Sequence, residues 1–323
     1  MEKVILGIDI GGTSVKIGFV KENGSISHKW EIPTNTSNQG ASIAHDVWSS
    51  IEEKLTTLKI EKSVLKGIGI GAPGFINEES GVVYKAVNIG WENFELAGDF
   101  NKLSNLPVYV ANDANVAALG ENWIGAGNQA SNLIAVTLGT GVGGGIIANG
   151  SVISGENGTA GEIGHITVDP NGYLCNCGRK GCLETITSAT GMVRQATDLI
   201  KENPESDLAD YYRKSGSITT KDIFDLAKKG DVLCDQIINH TADVLGLVIA
   251  NTATVINPSK ILIGGGVSQA GDQFIRLIEK YFQKYALPRL SEICEVKVAE
   301  LGNDAGIIGA AFLVKKSLDN IKF

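Results

Sequence analysis

The stretch Leu138-Gly139-Thr140-Gly141-Val142-Gly143-Gly144-Gly145 constrains this chain more than any other. An apolar run, Leu133 to Thr137, leads into it, and Ile146-Ile147-Ala148 leads out. Strand, glycines, strand predicts a β-hairpin with a glycine-rich connection. Glycine lets backbone N–H groups approach a ligand closely, and successive inward-pointing N–H groups make a cradle for phosphate. Taken alone, the same stretch also reads as a flexible hairpin tip. The pattern recurs near the start of the chain. Val4 to Ile8 is a β-branched strand, Asp9-Ile10-Gly11-Gly12-Thr13 follows, and Val15 to Val20 is a second strand. Two such hairpins predict two halves built on one plan, and two phosphate loops suit a nucleotide.

Asp9 ends its strand beside the first loop. A carboxylate there can hold Mg²⁺, which takes one or two carboxylates together with phosphate oxygens; a turn aspartate bonded to its own backbone is the plainer alternative. Ile43, Val47, Ile51 and Leu55 recur every four residues and predict an amphipathic helix within 40–58. Gly69 to Gly74 and Gly139 to Gly144 both match G-x-G-x-x-G, but that dinucleotide fingerprint must open a helix. Here Pro73 is followed by Phe75 to Gly81, which reads as a turn, and the second match lies in the hairpin. No Gly-Lys dipeptide occurs in the chain, which excludes a Walker A loop.

Val108 to Ala111 is a further strand, ended by Asn112-Asp113, with a helix from Val116 to about Trp123. Polar groups at the carboxyl ends of such strands line ligand crevices in α/β proteins. Asp113 suits two roles equally, as the N-cap of that helix or as a base that takes a proton from an attacking hydroxyl. Asn112 would then bond a neighbouring hydroxyl.

His165, in Gly161-Glu162-Ile163-Gly164-His165, precedes Cys175, Cys177 and Cys182. One imidazole and three thiols form a closed tetrahedral set for Zn²⁺, structural rather than catalytic because no position stays open. Unrelated reduced cysteines are the alternative. Cys234 and Cys294 lie in apolar surroundings and read as core. The knot draws Glu162, His165 and Glu184 together, and such groups suit a polyol. Five cysteines in 323 residues do not make a disulfide scaffold, and a reducing, cytoplasmic setting is expected. The net charge of -8 argues against nucleic acid as a partner. No apolar run approaches the ~20 residues of a membrane span, and Asp9 interrupts the apolar N-terminus, so neither membrane nor signal peptide is expected.

These motifs, in this order from about residue 4 to residue 310, resemble the ROK sugar kinases (repressor, open reading frame, kinase). The resemblance implies an α/β chain with the two-domain actin-like ATPase/hexokinase (ribonuclease H-like) fold and a cleft between domains. It implies a small N-terminal domain of residues 1–115 plus about 303–323, and a large domain of 116–302 carrying the zinc knot. It implies ATP with Mg²⁺ as phosphate donor and a hexose as acceptor: glucose first, with fructose, mannose, allose or an N-acylmannosamine as alternatives. A sugar-responsive regulator is the remaining family role; it would need a DNA-reading helix-turn-helix, for which the residues ahead of Asp9 leave no room. An actin-like or chaperone-like ATPase without a sugar would leave the knot and its neighbouring carboxylates unexplained.

Carried over residue by residue, the resemblance makes Asp113 the catalytic base. Gly74, Asn88, Asn112, Asp113, Glu162, His165 and Glu184 bind the sugar. Asp9, Gly11, Gly12, Thr13, Lys16, Thr137, Gly139, Thr140 and Gly141 lie along the nucleotide phosphates. Gly265 and Gly266, at the end of the strand Ile261 to Gly264, lie under the adenine and ribose. Helices are expected over 185–200 and 234–255, the second buried and partly in a homodimer or tetramer interface. Loops are expected at Asn203-Pro204 and Ser215-Gly216-Ser217. A closing helix over 304–315 is expected to pack on the N-terminal domain.

Overall fold

In the computed structural model, which describes residues 3–319, the first glycine turn joins β1 (Val4–Ile10) to β2 (Ser14–Lys21). The two strands pair antiparallel with Asp9 opposite Lys16. β3 (Ile26–Pro33) continues the meander. A single distorted turn, α1 (Ser37–Gly40), precedes α2 (Ile43–Leu58), which buries Ile43, Val47, Ile51 and Leu55 as their spacing predicts. β4 (Leu65–Ala72) then runs parallel to β1.

After Pro73 the chain opens no helix, so the dinucleotide fingerprint fails there. The expected turn over 75–81 needs correction, because Phe75–Asn77 is a strand, β5, with Ile76 buried. It pairs with β6 (Val82–Ala86), and β6 with β7 (Trp91–Phe94). Trp91 is buried and stacks on Phe94 at 4.7 Å. α3 (Leu96–Ser104), β8 (Val108–Asn112) and α4 (Asp113–Ile124) follow.

The second glycine hairpin joins β9 (Leu133–Leu138) to β10 (Val142–Ala148), with β11 (Ser151–Val152) after it. Only Gly139-Thr140-Gly141 form the tip; Gly143, Gly144 and Gly145 belong to β10. Gly145 is small for a packing reason, since a Cβ there would lie 2.5 Å from that of Ala118 in α4. The helix expected over 185–200 is broken into α5 (Glu184–Thr187) and α6 (Ala189–Glu202). Ser188, extended at ψ 166, separates them and its side chain caps α6 at the Gly191 N–H. α7 (Asp207–Ser215) and α8 (Thr220–Lys228) follow, the latter opened by a Thr219/Asp222 capping box.

α9 (Val232–Ile256) is long and apolar enough to cross a membrane by length and composition. It nevertheless packs on α6, α8 and α10, and buries Leu245, Val248 and Ile249. The last elements are β12 (Lys260–Gly264), α10 (Asp272–Tyr285), α11 (Pro288–Ser291), β13 (Glu295–Val298) and α12 (Ala305–Asp319).

Among the described residues, one five-stranded sheet has the order β3-β2-β1-β4-β8 and the other β11-β10-β9-β12-β13. Each begins with a meander around a glycine turn and ends with two parallel strands. The duplication expected from the two hairpins is therefore a duplication of sheet topology. By contacts the chain forms two units: Met1–Ser131, Gly145–Gly161 and Glu300–Phe323 in one, Asn132–Gly144 and Glu162–Ala299 in the other. The expected division at 115/116 falls inside α4, whereas the whole of α4 belongs to the first unit because it packs against α12.

α12 closes the first unit by backbone-to-backbone packing. A Cβ at Gly7 would sit 2.1 Å from the Ile307 carbonyl oxygen, and one at Gly69 would sit 1.7 Å from that of Ala310. A Cβ at Gly309 would sit 1.7 Å from the Val116 carbonyl oxygen in α4. Small residues on β1, β4 and α12 allow this approach, with Ile307, Ile308 and Phe312 filling the space around it.

Candidate active site

In the first unit, the turn between β1 and β2 is closed by the Gly11 N–H donating to the Ser14 carbonyl at 3.0 Å. The Thr34 hydroxyl donates to the Gly11 carbonyl at 2.6 Å. Gly12 and Thr13 stay exposed, and Asn88 lies beside Gly12, 3.7 Å from where its Cβ would be. Asp9 is held under the start of α12, where a Cβ at Gly306 would approach its carboxyl carbon to 2.6 Å. Burial pushes the Asp9 carboxyl above its ordinary pKa, opposed by the Lys16 ammonium 3.5 Å away.

Asn112, not Asp113, is the N-cap of α4. Its Oδ1 accepts from the Ala114 and Asn115 N–H groups at 3.0 and 3.3 Å, and its Nδ2 donates to the Gly74 carbonyl at 3.1 Å. The capping role that the sequence allowed for Asp113 therefore falls to its neighbour. Asp113 occupies the first turn of α4, accepting from the Ala114 N–H at 2.8 Å, where an anionic side chain suits the orphan amides. Gly74 has φ +95, and a Cβ there would meet the Lys85 carbonyl oxygen at 2.0 Å. It is a glycine for the sake of the backbone, and it reaches Asn112 through its carbonyl.

In the second unit, the hairpin tip is tight, with the Gly139 N–H donating to the Gly141 carbonyl at 2.9 Å. The glycines differ in what surrounds them. No described heavy atom lies within 4 Å of a Cβ built on Gly139 or Gly266. A Cβ on Gly265 would strike the Leu138 backbone at 2.4 Å, and one on Gly141 would strike Glu184 Oε2 at 2.2 Å. Gly139 and Gly266 thus face open space, and with Thr140, Ala189, Phe224 and Val267 they line a cavity of about 600 Å³. One wall is α8, contributing Thr220, Lys221, Phe224, Asp225 and Lys228, none of which carries a sequence motif. Thr137, half-buried at the end of β9, pairs with Gly264 of β12.

The proposed zinc ligands converge. The ligand atoms of His165, Cys175, Cys177 and Cys182 all lie within 4.8 Å of one another. Cys175 Sγ is 3.6 Å from His165 Nδ1, and Cys177 Sγ is 3.6 Å from Cys182 Sγ. A tetrahedral zinc with ordinary bond lengths separates its ligands by roughly 3.5–3.8 Å, so the set fits that ion. Gly181 makes the fold-back possible at φ +68, where a Cβ would lie 1.5 Å from the Asp169 carbonyl oxygen. Burial pushes the Cys175 thiol up to about 12. Desolvation also opposes ionisation of Cys177, but the Arg179 amide and guanidinium outweigh it and bring that thiol down to about 6.

With Nδ1 turned to the cysteines, His165 presents Nε2 to Glu162, whose Oε2 is 3.9 Å away. Burial raises the Glu162 pKa, against the pull of His165 and with the push of Glu184. Glu184 has one oxygen toward each neighbour: Oε1 lies 3.6 Å from Cys175 Sγ, and Oε2 accepts from the Val142 N–H at 3.0 Å. Glu162, His165 and Glu184 are therefore gathered around the knot, as their placement in the sequence predicts.

The ROK family model matches residues 5–317. The chain belongs to the ROK family. Among ROK relatives it is 50% identical to a glucokinase of Halalkalibacterium halodurans over 318 residues, 98% of this chain and 96% of that one. A crystal structure of a ROK family glucokinase from Streptomyces griseus, in complex with glucose and AMPPNP, superposes with a TM-score of 0.78 at 33% identity, covering 97% of this chain and 99% of that one. A ROK hexokinase from Thermus thermophilus gives 0.83 at 27% identity, covering 98% and 100%. The fold is accordingly the two-domain actin-like ATPase fold of the ROK hexokinases, as expected.

Proposed function

We propose that the protein is an ATP-dependent glucokinase, transferring the γ-phosphate of ATP to the 6-hydroxyl of glucose. The observation that carries this is the meeting, at Glu184, of an open glycine hairpin and a polyol-type cluster. The H. halodurans relative named glucokinase, at 50% identity, favours glucose over fructose, mannose, allose or an N-acylmannosamine. The S. griseus structure, solved with glucose and AMPPNP, favours ATP as donor.

Asp113 is assigned as the general base. It takes the proton of the sugar 6-hydroxyl as that oxygen attacks the γ-phosphorus, and ADP leaves. Asn112 has one Nδ2 hydrogen beyond its bond to Gly74 and spends it on a sugar hydroxyl. Gly74, Asn88, Glu162, His165 through Nε2, and Glu184 complete the sugar contacts. Gly11, Gly12, Thr13 and Lys16 of the first hairpin, and Thr137, Gly139, Thr140 and Gly141 of the second, lie along the phosphates. Gly265 and Gly266 lie under the base and ribose in the cavity beside α8.

Asp9 would hold Mg²⁺, directly or through water, and the ion would supply charge neutralisation at the phosphates. His165, Cys175, Cys177 and Cys182 would hold a structural Zn²⁺ that braces the sugar side. A cytoplasmic homodimer, or a tetramer built from it, completes the proposal, with Val232, Leu247 and Val255 of α9 as exposed apolar positions for subunit contact. Light scattering at several concentrations tests that assembly.

The deciding experiment ranks hexoses by kcat/KM with ATP, and then compares ATP with polyphosphate on the best sugar. Glucose with ATP is expected to lead. A preference for an N-acylmannosamine, or ATP hydrolysis that ignores every sugar, would overturn the assignment.

A further inference from the structure

The tip of the second hairpin is held from outside itself, by one short segment. Glu184 Oε2 accepts from the Val142 N–H, and it fills the space where a side chain at position 141 would begin. The Ala189 N–H donates to the Gly139 carbonyl at 2.9 Å. The Thr190 hydroxyl donates to the Thr140 carbonyl. The break at Ser188 allows these contacts. It turns the chain between α5 and α6, and its hydroxyl returns to the Glu184 carbonyl at 2.7 Å. Gly139, Thr140 and, just past the tip, Val142 are thus tied to 184–190, and Glu184 follows the knot residue Cys182 by two positions.

We propose that Glu184 and Thr190 form a clasp that sets the shape of the phosphate hairpin, so that Glu184 serves the nucleotide as well as the sugar. The proposal rests on the assignment of this hairpin to the nucleotide. Its physical basis is simple. The amides left for phosphate keep their directions only if the tip is fixed beforehand, and a charge-assisted bond from the Val142 N–H to a carboxylate fixes the tip more firmly than a neutral partner would. Gly141 is then a glycine because the clasp comes close, whereas Gly139 is a glycine because the ligand does. Glu184 acts on the nucleotide as a positioning residue, through Val142.

The test measures the Kd of AMPPNP with Mg²⁺ by calorimetry, on the full chain and without sugar. Glu184→Ala is expected to weaken binding about 10-fold, the order of one lost charge-assisted hydrogen bond. Glu184→Gln keeps an oxygen for the Val142 N–H and is expected to recover most of that loss. Thr190→Val removes the other side-chain tie, lies outside the proposed sugar contacts, and is expected to raise the nucleotide Kd with the glucose Kd unchanged. It decides the matter if Glu184→Ala fails to fold. Native-like nucleotide binding in both Glu184→Ala and Thr190→Val, or a loss in Glu184→Ala confined to glucose, would overturn the clasp. Gly139→Val separates the two assignments, because the open space there admits the side chain. If this variant still binds AMPPNP normally, the hairpin is not the phosphate site, and the clasp falls with it.

Discussion

At Asp9, burial and function pull in opposite directions. Burial raises the carboxyl pKa, so the folded protein binds a proton there more tightly than the unfolded chain does. The stability contribution of such a group falls as pH rises from the ordinary carboxylate value through the raised one, and at neutral pH the ionised group is a net cost. Asp9→Asn is therefore expected to raise the Tm of the metal-free protein at pH 7, by about 2–4 °C for each kcal/mol of burial cost it relieves. The gain should shrink toward pH 4 in a calorimetric pH series, while Mg²⁺-dependent turnover drops. Asp113 sits in the first turn of α4, where a carboxylate suits the orphan amides. Asp113→Ala is expected to lower kcat by about 10²–10⁴-fold, the usual contribution of a general base. Glucose binding by calorimetry should largely survive, and near-normal turnover would remove Asp113 from the mechanism.

Elements whose residues declare their own period or chemistry were legible from the chain alone. The two glycine hairpins, the four-residue apolar spacing of α2, the cysteine knot and the closing helix all stand close to where they were expected. α8 was not legible, although it walls the cavity, because Lys221, Asp225 and Lys228 look like any solvated helix face. Its only local signal is the Thr219/Asp222 capping box. The break at Ser188 was hidden for another reason: 185–200 scans as one helix, and only the contacts to the hairpin reveal why it turns. Likewise, the sequence pointed to Asp113 alone as a possible cap, and hydrogen-bond geometry gives the cap to Asn112 instead. The glycines under α12 carry a prediction of their own. Gly69→Ala inserts a methyl group where the Ala310 carbonyl already stands. Overpacking of this kind typically costs about 1–3 kcal/mol, and backbone cannot swing aside as a side chain can. A clear fall in denaturation midpoint is expected, and an unchanged midpoint would mean that α12 sits less closely on β4 than described.

For the molecule as a whole, the second unit has two anchors, a hydrophobic core and the thiol-imidazole knot. Elemental analysis of the purified protein is expected to find about one zinc per chain, with Cys177→Ser depleted of it. Stripping the ion with a strong chelator should lower the Tm and weaken glucose binding together, since Glu162 and Glu184 take their positions from the knot; full glucose affinity in a zinc-free protein would detach the two. The first unit is finished differently, by a helix drawn from residues 305–319 that lies against strands made of residues 4–10 and 65–72. During synthesis those strands leave the ribosome long before their cover exists. The glycine-lined face of β1 and β4 must then wait, unshielded, until residues 305–319 have been made. Native packing of the first unit therefore cannot be completed before residues 305–319 emerge, and until then the nascent chain stays open to chaperone capture or mispairing.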